Sequence, residues 1–90
     1  MKRIFKWALT PGSTGLHMPA GAKVLTVQMQ GGQPQLWARV DPKQPKEWRT
    51  FAVYGTGHQI PDDRRLEYVA TFQMDDGALV WHVFEATHAA

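Results

Sequence analysis

Hydrophobic and polar side chains alternate along much of this chain, and no window of about 11–18 residues shows a helical period. Such alternation is typical of strands, because successive side chains of a strand point to opposite faces. Turn signals interrupt the alternation at the spacing of roughly 8–12 residues that small all-β domains show. The sequence therefore predicts an all-β fold, a small antiparallel sandwich or barrel of about six strands.

The alternation is clearest on the two sides of Gly31-Gly32. Paired glycines supply the positive φ that a tight hairpin turn needs, so we predict a hairpin there. The last predicted strand is apolar on both faces, which indicates a central place in a sheet or contact with a partner chain. The six predicted strands cover residues 2–9, 23–30, 35–41, 49–54, 66–74 and 78–85.

Glycine and proline mark the connections between these strands. Residues 10–21 and 41–47 are predicted as loops, since both segments contain prolines that lack the amide hydrogen a central strand needs. The 55–66 loop holds a proline followed by two acids, which favours at most one short helical turn. We predict a single β domain over residues 1–85 and a frayed C-terminal tail over residues 86–90.

Composition excludes several classes of function. The 90 residues contain no cysteine, which excludes disulfides, a thiolate zinc site and a thiol nucleophile, and which fits a cytosolic protein. The net charge is only +2 and the acids are interspersed with the bases, so nucleic acid is not a predicted partner. Apolar runs are far shorter than the roughly 20 residues that cross a bilayer, so no membrane contact is predicted. A chain of this length buries only about 60–65% of its extended surface, which favours a homo-oligomer.

The main candidate site is the turn after the fourth predicted strand, Tyr54-Gly55-Thr56-Gly57-His58. Flexible glycines allow successive amide hydrogens to point into one concavity, and such a concavity binds anions such as phosphate. Tyr54 can stack on a ring, while Thr56 and His58 can donate hydrogen bonds. The alternative interpretation is a turn that simply ends a strand and whose glycines need positive φ.

Arginines flank this turn in the sequence. Arg49 leads into it, and Arg64 with Arg65 closes the following loop. A guanidinium fork matches a carboxylate or a phosphate, so we expect these side chains to complete an anion site if the loop folds back. The alternative is ordinary ion pairing with neighbouring acidic side chains at the surface.

Four tryptophans are many for a chain of this length. Trp7 and Trp81 lie on apolar strand faces and are predicted to join the core. Trp37 alternates with charged residues and Trp48 lies in the proline-bearing 42–48 loop, so both are predicted to be partly exposed. Exposed tryptophan is typical of interaction surfaces, although it also covers the edges of small cores.

Metal binding and catalysis have little support. Zinc needs three or four converging ligands, and no pair of histidines has a characteristic ligand spacing, so no metal and no cofactor are predicted. The only serine, Ser13, lies in a glycine-proline loop without a nearby base. A hydrolase or lyase site that uses His58 with Asp62 or Asp63 remains a third hypothesis. The four histidines are His17, His58, His82 and His88.

Several motifs extend over about residues 3–85. They are Met18-Pro19-x-Gly21-Ala22-Lys23-Val24-Leu25-x-Val27-Gln28, Leu36-Trp37-Ala38-x-Val40-Asp41, Tyr54-Gly55-Thr56-Gly57-His58-x-Ile60, Thr71-Phe72-Gln73, and Leu79-Val80-Trp81-His82-Val83-Phe84-Glu85. This combination resembles a family of short, uncharacterised proteins of phages and prophages. The resemblance implies a bacterial cytoplasm during infection or lysogeny, and it brings no assigned catalytic residue. Small accessory proteins of this class often inhibit or sequester components of host defence.

The residues and the resemblance together predict a non-enzymatic, phage-type accessory protein that holds a small anionic, nucleotide-like ligand and counteracts host defence signalling. The alternative is an inhibitor that binds a host protein through Trp37, Trp48 and the 42–48 loop. The predicted ligand site consists of Arg49, Tyr54, Gly55, Thr56, Gly57, His58, Arg64 and Arg65.

Overall fold

The computed structural model describes residues 1–87 and confirms the all-β prediction, with one strand more than expected. The one helical element in these residues is a 3₁₀ turn, Asp75–Gly77, which joins the last two strands. The strands are β1 (Arg3–Ala8), β2 (Gly12–Pro19), β3 (Lys23–Gln30), β4 (Gln33–Val40), β5 (Lys46–Gly55), β6 (Arg65–Met74) and β7 (Leu79–Thr87).

The strands form two antiparallel sheets. The small sheet has the order β1-β4-β3, and the large sheet has the order β2-β5-β7-β6. The Cα atoms extend over 40 × 35 × 15 Å, a shape that fits two layers about 10 Å apart. Of the two predicted architectures, the sandwich therefore describes the molecule.

The core lies between the two sheets. Leu36 and Val40 of β4 face Phe51 of β5 and Val83 of β7, and all four side chains are fully buried. Burial of large apolar side chains is the main favourable term in the folding of such a domain. Trp7 and Trp81 are partly buried and pack against this core, which confirms their predicted role.

The β3–β4 hairpin is confirmed. Gly31 and Gly32 have φ values of +57° and +81°, which a two-residue hairpin turn requires at both positions. Gln30 at the end of β3 pairs with Gln33 at the start of β4 across this turn. The prediction that the last strand is central is also correct, since β7 lies between β5 and β6.

The prediction that residues 10–21 form a loop is wrong for Gly12–Pro19, which form β2. β2 is an edge strand that pairs only with β5, so its free side tolerates glycine and proline. Leu16 and Met18 of β2 are buried, whereas the alternate residue His17 is exposed. This alternation was present in the sequence, but the glycines and Pro19 outweighed it in the prediction.

The 55–66 loop contains turns and no helical turn in the described residues, which agrees with the prediction of at most one. Its proline and two acids are not followed by an apolar periodicity, so nothing propagates a helix there. One further prediction needs correction. The predicted frayed tail begins at Ala86, yet Ala86 pairs with Thr50 and Thr87 with Arg65 in β7. The remainder of that tail, residues 88–90, lies outside the described residues.

The connection between β5 and β6 crosses the length of the large sheet. Both strands pair antiparallel with β7, so they run parallel to each other. Gly55 at the end of β5 pairs with Trp81, whereas Arg65 at the start of β6 pairs with Thr87. These partners are six residues apart on β7, a distance of about 20 Å at the rise of a strand. Residues 56–64 therefore join opposite ends of the sheet.

Candidate functional site

The predicted anion-binding turn is folded back on itself. The His58 amide donates to the Gly55 carbonyl at 3.0 Å, and the Thr56 amide donates to the Val80 carbonyl at 3.1 Å. The Gly55 amide donates to Nδ1 of His58 at 3.2 Å. Three amide hydrogens near the expected concavity thus have partners within the protein. This geometry supports the alternative interpretation, a turn that ends β5, in which Gly57 has the required φ of +87°.

The His58 ring occupies the space that a side chain at Gly55 would need. A Cβ added to Gly55 would lie 2.7 Å from a ring carbon of His58. We therefore expect Gly55→Ala to displace the ring, break the bond to Nδ1 and lower the free energy of unfolding by about 1 kcal/mol. Denaturant unfolding measures this change.

A matched control is available at Gly15, where an added Cβ would make only an ordinary contact with Trp48 at 3.6 Å. Gly15→Ala should leave stability unchanged within about 0.5 kcal/mol. In a His58→Ala background the cost of Gly55→Ala should largely disappear. An unchanged cost in that background would show that the ring is not what Gly55 accommodates.

Arg49 lies in a different environment from the turn. Its Nε and Nη2 donate to the two carboxylate oxygens of Glu85 at 2.7 and 2.8 Å, and its Nη1 donates to the Ala22 carbonyl at 2.6 Å. The hydrogen bond to Glu85 raises the pKa of Arg49 above its ordinary value, and burial partly opposes this shift. Arg49 is thus a structural ion-pair residue at the inner edge of the sandwich, and its guanidinium fork is occupied.

Arg64 and Arg65 do not close the predicted site. Arg65 begins β6 beside Thr87, at the end of the large sheet opposite to Gly55. About 20 Å of strand separates the two ends. Both arginines are exposed, and neither has a salt bridge within the described residues. The eight predicted ligand residues therefore do not converge on one pocket.

The surroundings of His58 do not resemble a hydrolytic site. Its ring packs edge-on against Trp81 at a centroid distance of 5.8 Å. Within the described residues, the hydrogen bonds of His58 are made with Gly55. Asp62 and Asp63 have no hydrogen bond to this ring in residues 1–87. The same residues contain no cluster of three or more side chains able to ligate a metal.

The two predicted interaction tryptophans belong to different surfaces. Trp37 is half-buried on the outward face of the small sheet, where it pairs with Lys6 and Thr26. Trp48 is 71% exposed on the large sheet and stacks on His17 at 4.6 Å with an interplanar angle of 17°. The partial exposure predicted for both residues is confirmed, but they do not form one patch.

A groove opens between the free edges of the two sheets, beside β1 and the end of β2. Its volume is about 360 Å³, within the range of small-molecule sites. None of its lining residues is acidic. The lining residues are Ile4, Phe5, Lys6, Trp7, His17, Pro19 and Lys46.

The groove combines rings with positive charge. Phe5 and Trp7 pack edge-to-face at 6.2 Å, and His17 of the lining stacks on Trp48. Lys46 begins β5 opposite Pro19. Arg3 precedes Phe5 and Trp7 in the same alternating row of β1, so its side chain points to the same side of the strand. A groove with these properties suits a ligand that has a planar ring and a negative charge.

A second cavity, at one end of the sandwich, has a different chemistry. Its volume is about 220 Å³, and its walls are mainly apolar side chains such as Leu9, Phe72 and Leu79. The nearby Trp81 indole nitrogen is buried and has no hydrogen-bond partner. Nothing in this wall compensates a negative charge, so the groove beside β1 is the better anion site.

The outward face of the large sheet carries a chain of hydrogen bonds that sequence reasoning missed. Oγ1 of Thr56 lies 2.7 Å from Nε2 of His82, and Oγ1 of Thr71 lies 3.0 Å from Nδ1 of the same ring. The Tyr68 hydroxyl extends the chain, 2.8 Å from Thr71. The sequence does place His82 on a strand, but the order of β5, β7 and β6 is what brings its partners together.

This outward face also lacks charged side chains between its ends, whereas the small sheet presents Lys6, Lys23 and Arg39 outward. The outward residues of the large sheet are Ser13, Gly15, His17, Trp48, Thr50, Ala52, Tyr54, Leu66, Tyr68, Thr71, Gln73, Val80, His82, Phe84 and Ala86.

Fold and surface together define a small two-sheet antiparallel β-sandwich with one basic, aromatic groove and one uncharged sheet face. The family model for a domain of unknown function, DUF7352, matches residues 1–90, and the chain belongs to this family. No curated protein matches the chain. No solved structure matches it either. No helix in the described residues is long and apolar enough to cross a membrane.

Proposed function

We propose that this protein is a non-catalytic binding module that holds a small anionic ligand with a planar ring, such as a nucleotide. The observation that carries this proposal is the groove beside β1, where Phe5, Trp7 and His17 meet Lys46 and no carboxylate. Ring stacking recognises the planar base of a nucleotide, and contacts with cations recognise its phosphate. The ligand class is the one expected from the sequence, but the groove replaces the Tyr54–His58 turn as its site.

The groove supplies the parts that such a ligand needs. Phe5 and Trp7 offer apolar ring surface, while Lys46 at the rim offers an ammonium group to a phosphate. The Lys6 stem also lines the groove, although its ammonium donates to Oε1 of Gln30 at 2.6 Å. A ligand that displaces this contact gains a second cation.

The biological setting is part of the proposal. The resemblance to phage and prophage proteins supports a role in the bacterial cytoplasm, where sequestering a nucleotide signal would counteract host defence. The alternative, an inhibitor that binds a host protein, is supported by Trp48, which is 71% exposed on the large sheet. Exposed tryptophan is a common anchor of protein interfaces.

Isothermal titration calorimetry against nucleoside mono-, di- and triphosphates and cyclic nucleotides tests the ligand class. We expect saturable binding by at least one nucleotide, weaker at higher salt because the charged contact is exposed. Lys46→Glu should weaken that binding about tenfold, since it places a negative charge beside the phosphate.

Lys23→Glu is the matched control, because it makes the same charge change on β3, at the opposite edge of the small sheet from β1. Tyr54→Ala and His58→Ala should also leave affinity unchanged. Absence of binding across the panel would refute the proposal. Equal weakening by Lys46→Glu and Lys23→Glu would assign the effect to net charge and remove the groove as the site. A stoichiometric host protein recovered with the wild-type chain but not with Trp48→Ala would favour the inhibitor instead.

A further inference from the structure

We propose that two copies of this chain form a dimer through the outward face of the large sheet. The centre of this face is the uncharged patch, which we define as Tyr54, Thr56, Tyr68, Thr71, His82 and Phe84. Charged residues make up 20% of the chain, yet none points outward between the ends of this sheet. Depletion of charge together with enrichment of tyrosine and phenylalanine is the compositional signature of an interface core.

The polar groups of the patch suit contact with a second copy. A two-fold axis places the patch against its own copy, so every hydrogen-bonding group must find its partner within the same set of groups. Hydroxyl groups and imidazole both donate and accept, and the chain Thr56–His82–Thr71–Tyr68 contains only such groups. A surface made of lysine or glutamate would repel its copy, whereas this one is complementary to itself.

The aromatic part of the patch supplies the apolar area. Phe84 packs edge-to-face with Tyr54 at 6.1 Å and with Tyr68 at 5.8 Å, so three rings cross three adjacent strands. The Tyr68 side chain is nevertheless 63% exposed. Contact with a second copy would remove this ring from water while its hydroxyl keeps a partner.

Charge and area both favour a second copy as the occupant. The outward face of the small sheet carries Lys6, Lys23 and Arg39, so two copies would repel each other there. Four strands about 4.8 Å apart and about seven residues long give the large-sheet face a flat area of about 450 Å². Two such faces bury about 900 Å² or more, at the lower end of specific interfaces. This area predicts a weak dimer that depends on concentration.

Sedimentation equilibrium of the full chain tests this inference. We expect the average mass to rise from the chain mass of 10.2 kDa towards twice that value. The increase should occur at protein concentrations between about 1 and 100 µM, as a weak interface of this size implies. Thr71→Arg and Tyr68→Arg should each shift the transition at least tenfold upward, because the symmetry puts a new positive charge on both copies of the patch, where no opposite charge can pair with it.

Gln28→Arg is the matched control, since Gln28 is equally exposed and outward on an edge strand of the small sheet. It should leave the mass curve unchanged, and circular dichroism should show the same fold for all variants. A constant mass of one chain up to about 300 µM would overturn the inference. An association that persists in Thr71→Arg and Tyr68→Arg but is abolished by Gln28→Arg would also overturn the inference.

Discussion

Replacing Glu85 by alanine is expected to lower the free energy of unfolding by about 2–3 kcal/mol. Glu85 accepts two hydrogen bonds from Arg49, and the two side chains are only 18% and 19% exposed. Removing the carboxylate leaves a positive charge partly buried beside the core. Exposed ion pairs contribute less than about 1 kcal/mol, so burial is what makes this pair matter. Urea unfolding monitored by tryptophan fluorescence measures the change.

Glu67→Ala is the appropriate control. Glu67 lies directly opposite Glu85 on β6 but is exposed, and its side chain makes no hydrogen bond or salt bridge in the described residues. Like charges directly opposite in a sheet are unfavourable, so this change should be neutral or slightly stabilising. Equal losses for Glu67→Ala and Glu85→Ala would contradict a specific role for the Arg49 pair.

The pair also has a defined dependence on pH through Arg49. Its raised pKa means that the guanidinium is more stable as a cation in the folded protein than in the unfolded chain. The resulting stabilisation is complete below the ordinary arginine pKa and is lost only as the pH rises through the folded pKa. Titration of Arg49 therefore removes no stability in the neutral range.

Replacing Phe51 by alanine should have the largest effect, a loss of about 3–5 kcal/mol. Its side chain is fully buried on β5, between the two sheets. Loss of the ring removes apolar contact from both layers and leaves a cavity that packed strands fill only in part. Small domains have a total stability of the same order, so the Phe51→Ala variant should be largely unfolded at temperatures near the melting temperature of the wild-type protein.

Trp48→Ala, on the same strand, tests whether the loss of stability follows from the burial of the side chain or from its aromatic ring. Trp48 is 71% exposed, so its removal should cost about 1 kcal/mol or less in spite of its larger ring. Differential scanning calorimetry of both variants gives the comparison. If Trp48→Ala proved as damaging as Phe51→Ala, the core could not lie between the sheets as described.

Local sequence was sufficient for much of the architecture. Alternation identified six of the seven strands, and Gly31-Gly32 identified the hairpin, because both signals depend on near neighbours. β2 was missed since its signal, alternate burial of Leu16 and Met18, is short and is interrupted by residues typical of loops. An edge strand needs only one partner, and this freedom weakens the sequence pattern.

The site depended on information that local sequence does not contain. Arg49 was expected beside His58, but its partner Glu85 is 36 residues away and becomes its neighbour only through the β5–β7 pairing. The same strand order puts β7 between β5 and β6 and carries Arg65 away from Gly55. In the predicted anion-binding concavity the reason is local, since the His58 side chain accepts the Gly55 amide hydrogen that was expected to bind an anion.

The position of β7 has a consequence for synthesis of the protein on the ribosome. β7 is the last of the described strands to be translated, yet it supplies the pairing partner for both β5 and β6. Until it emerges, the nascent chain carries two strands whose facing edges have no hydrogen-bond partner. Unpaired edges recruit strands from other chains, so this interval is the one in which the protein is most exposed to aggregation. β1, β3 and β4 are translated earlier and can already form the small sheet, so the addition of β7 completes the large sheet and with it the sandwich.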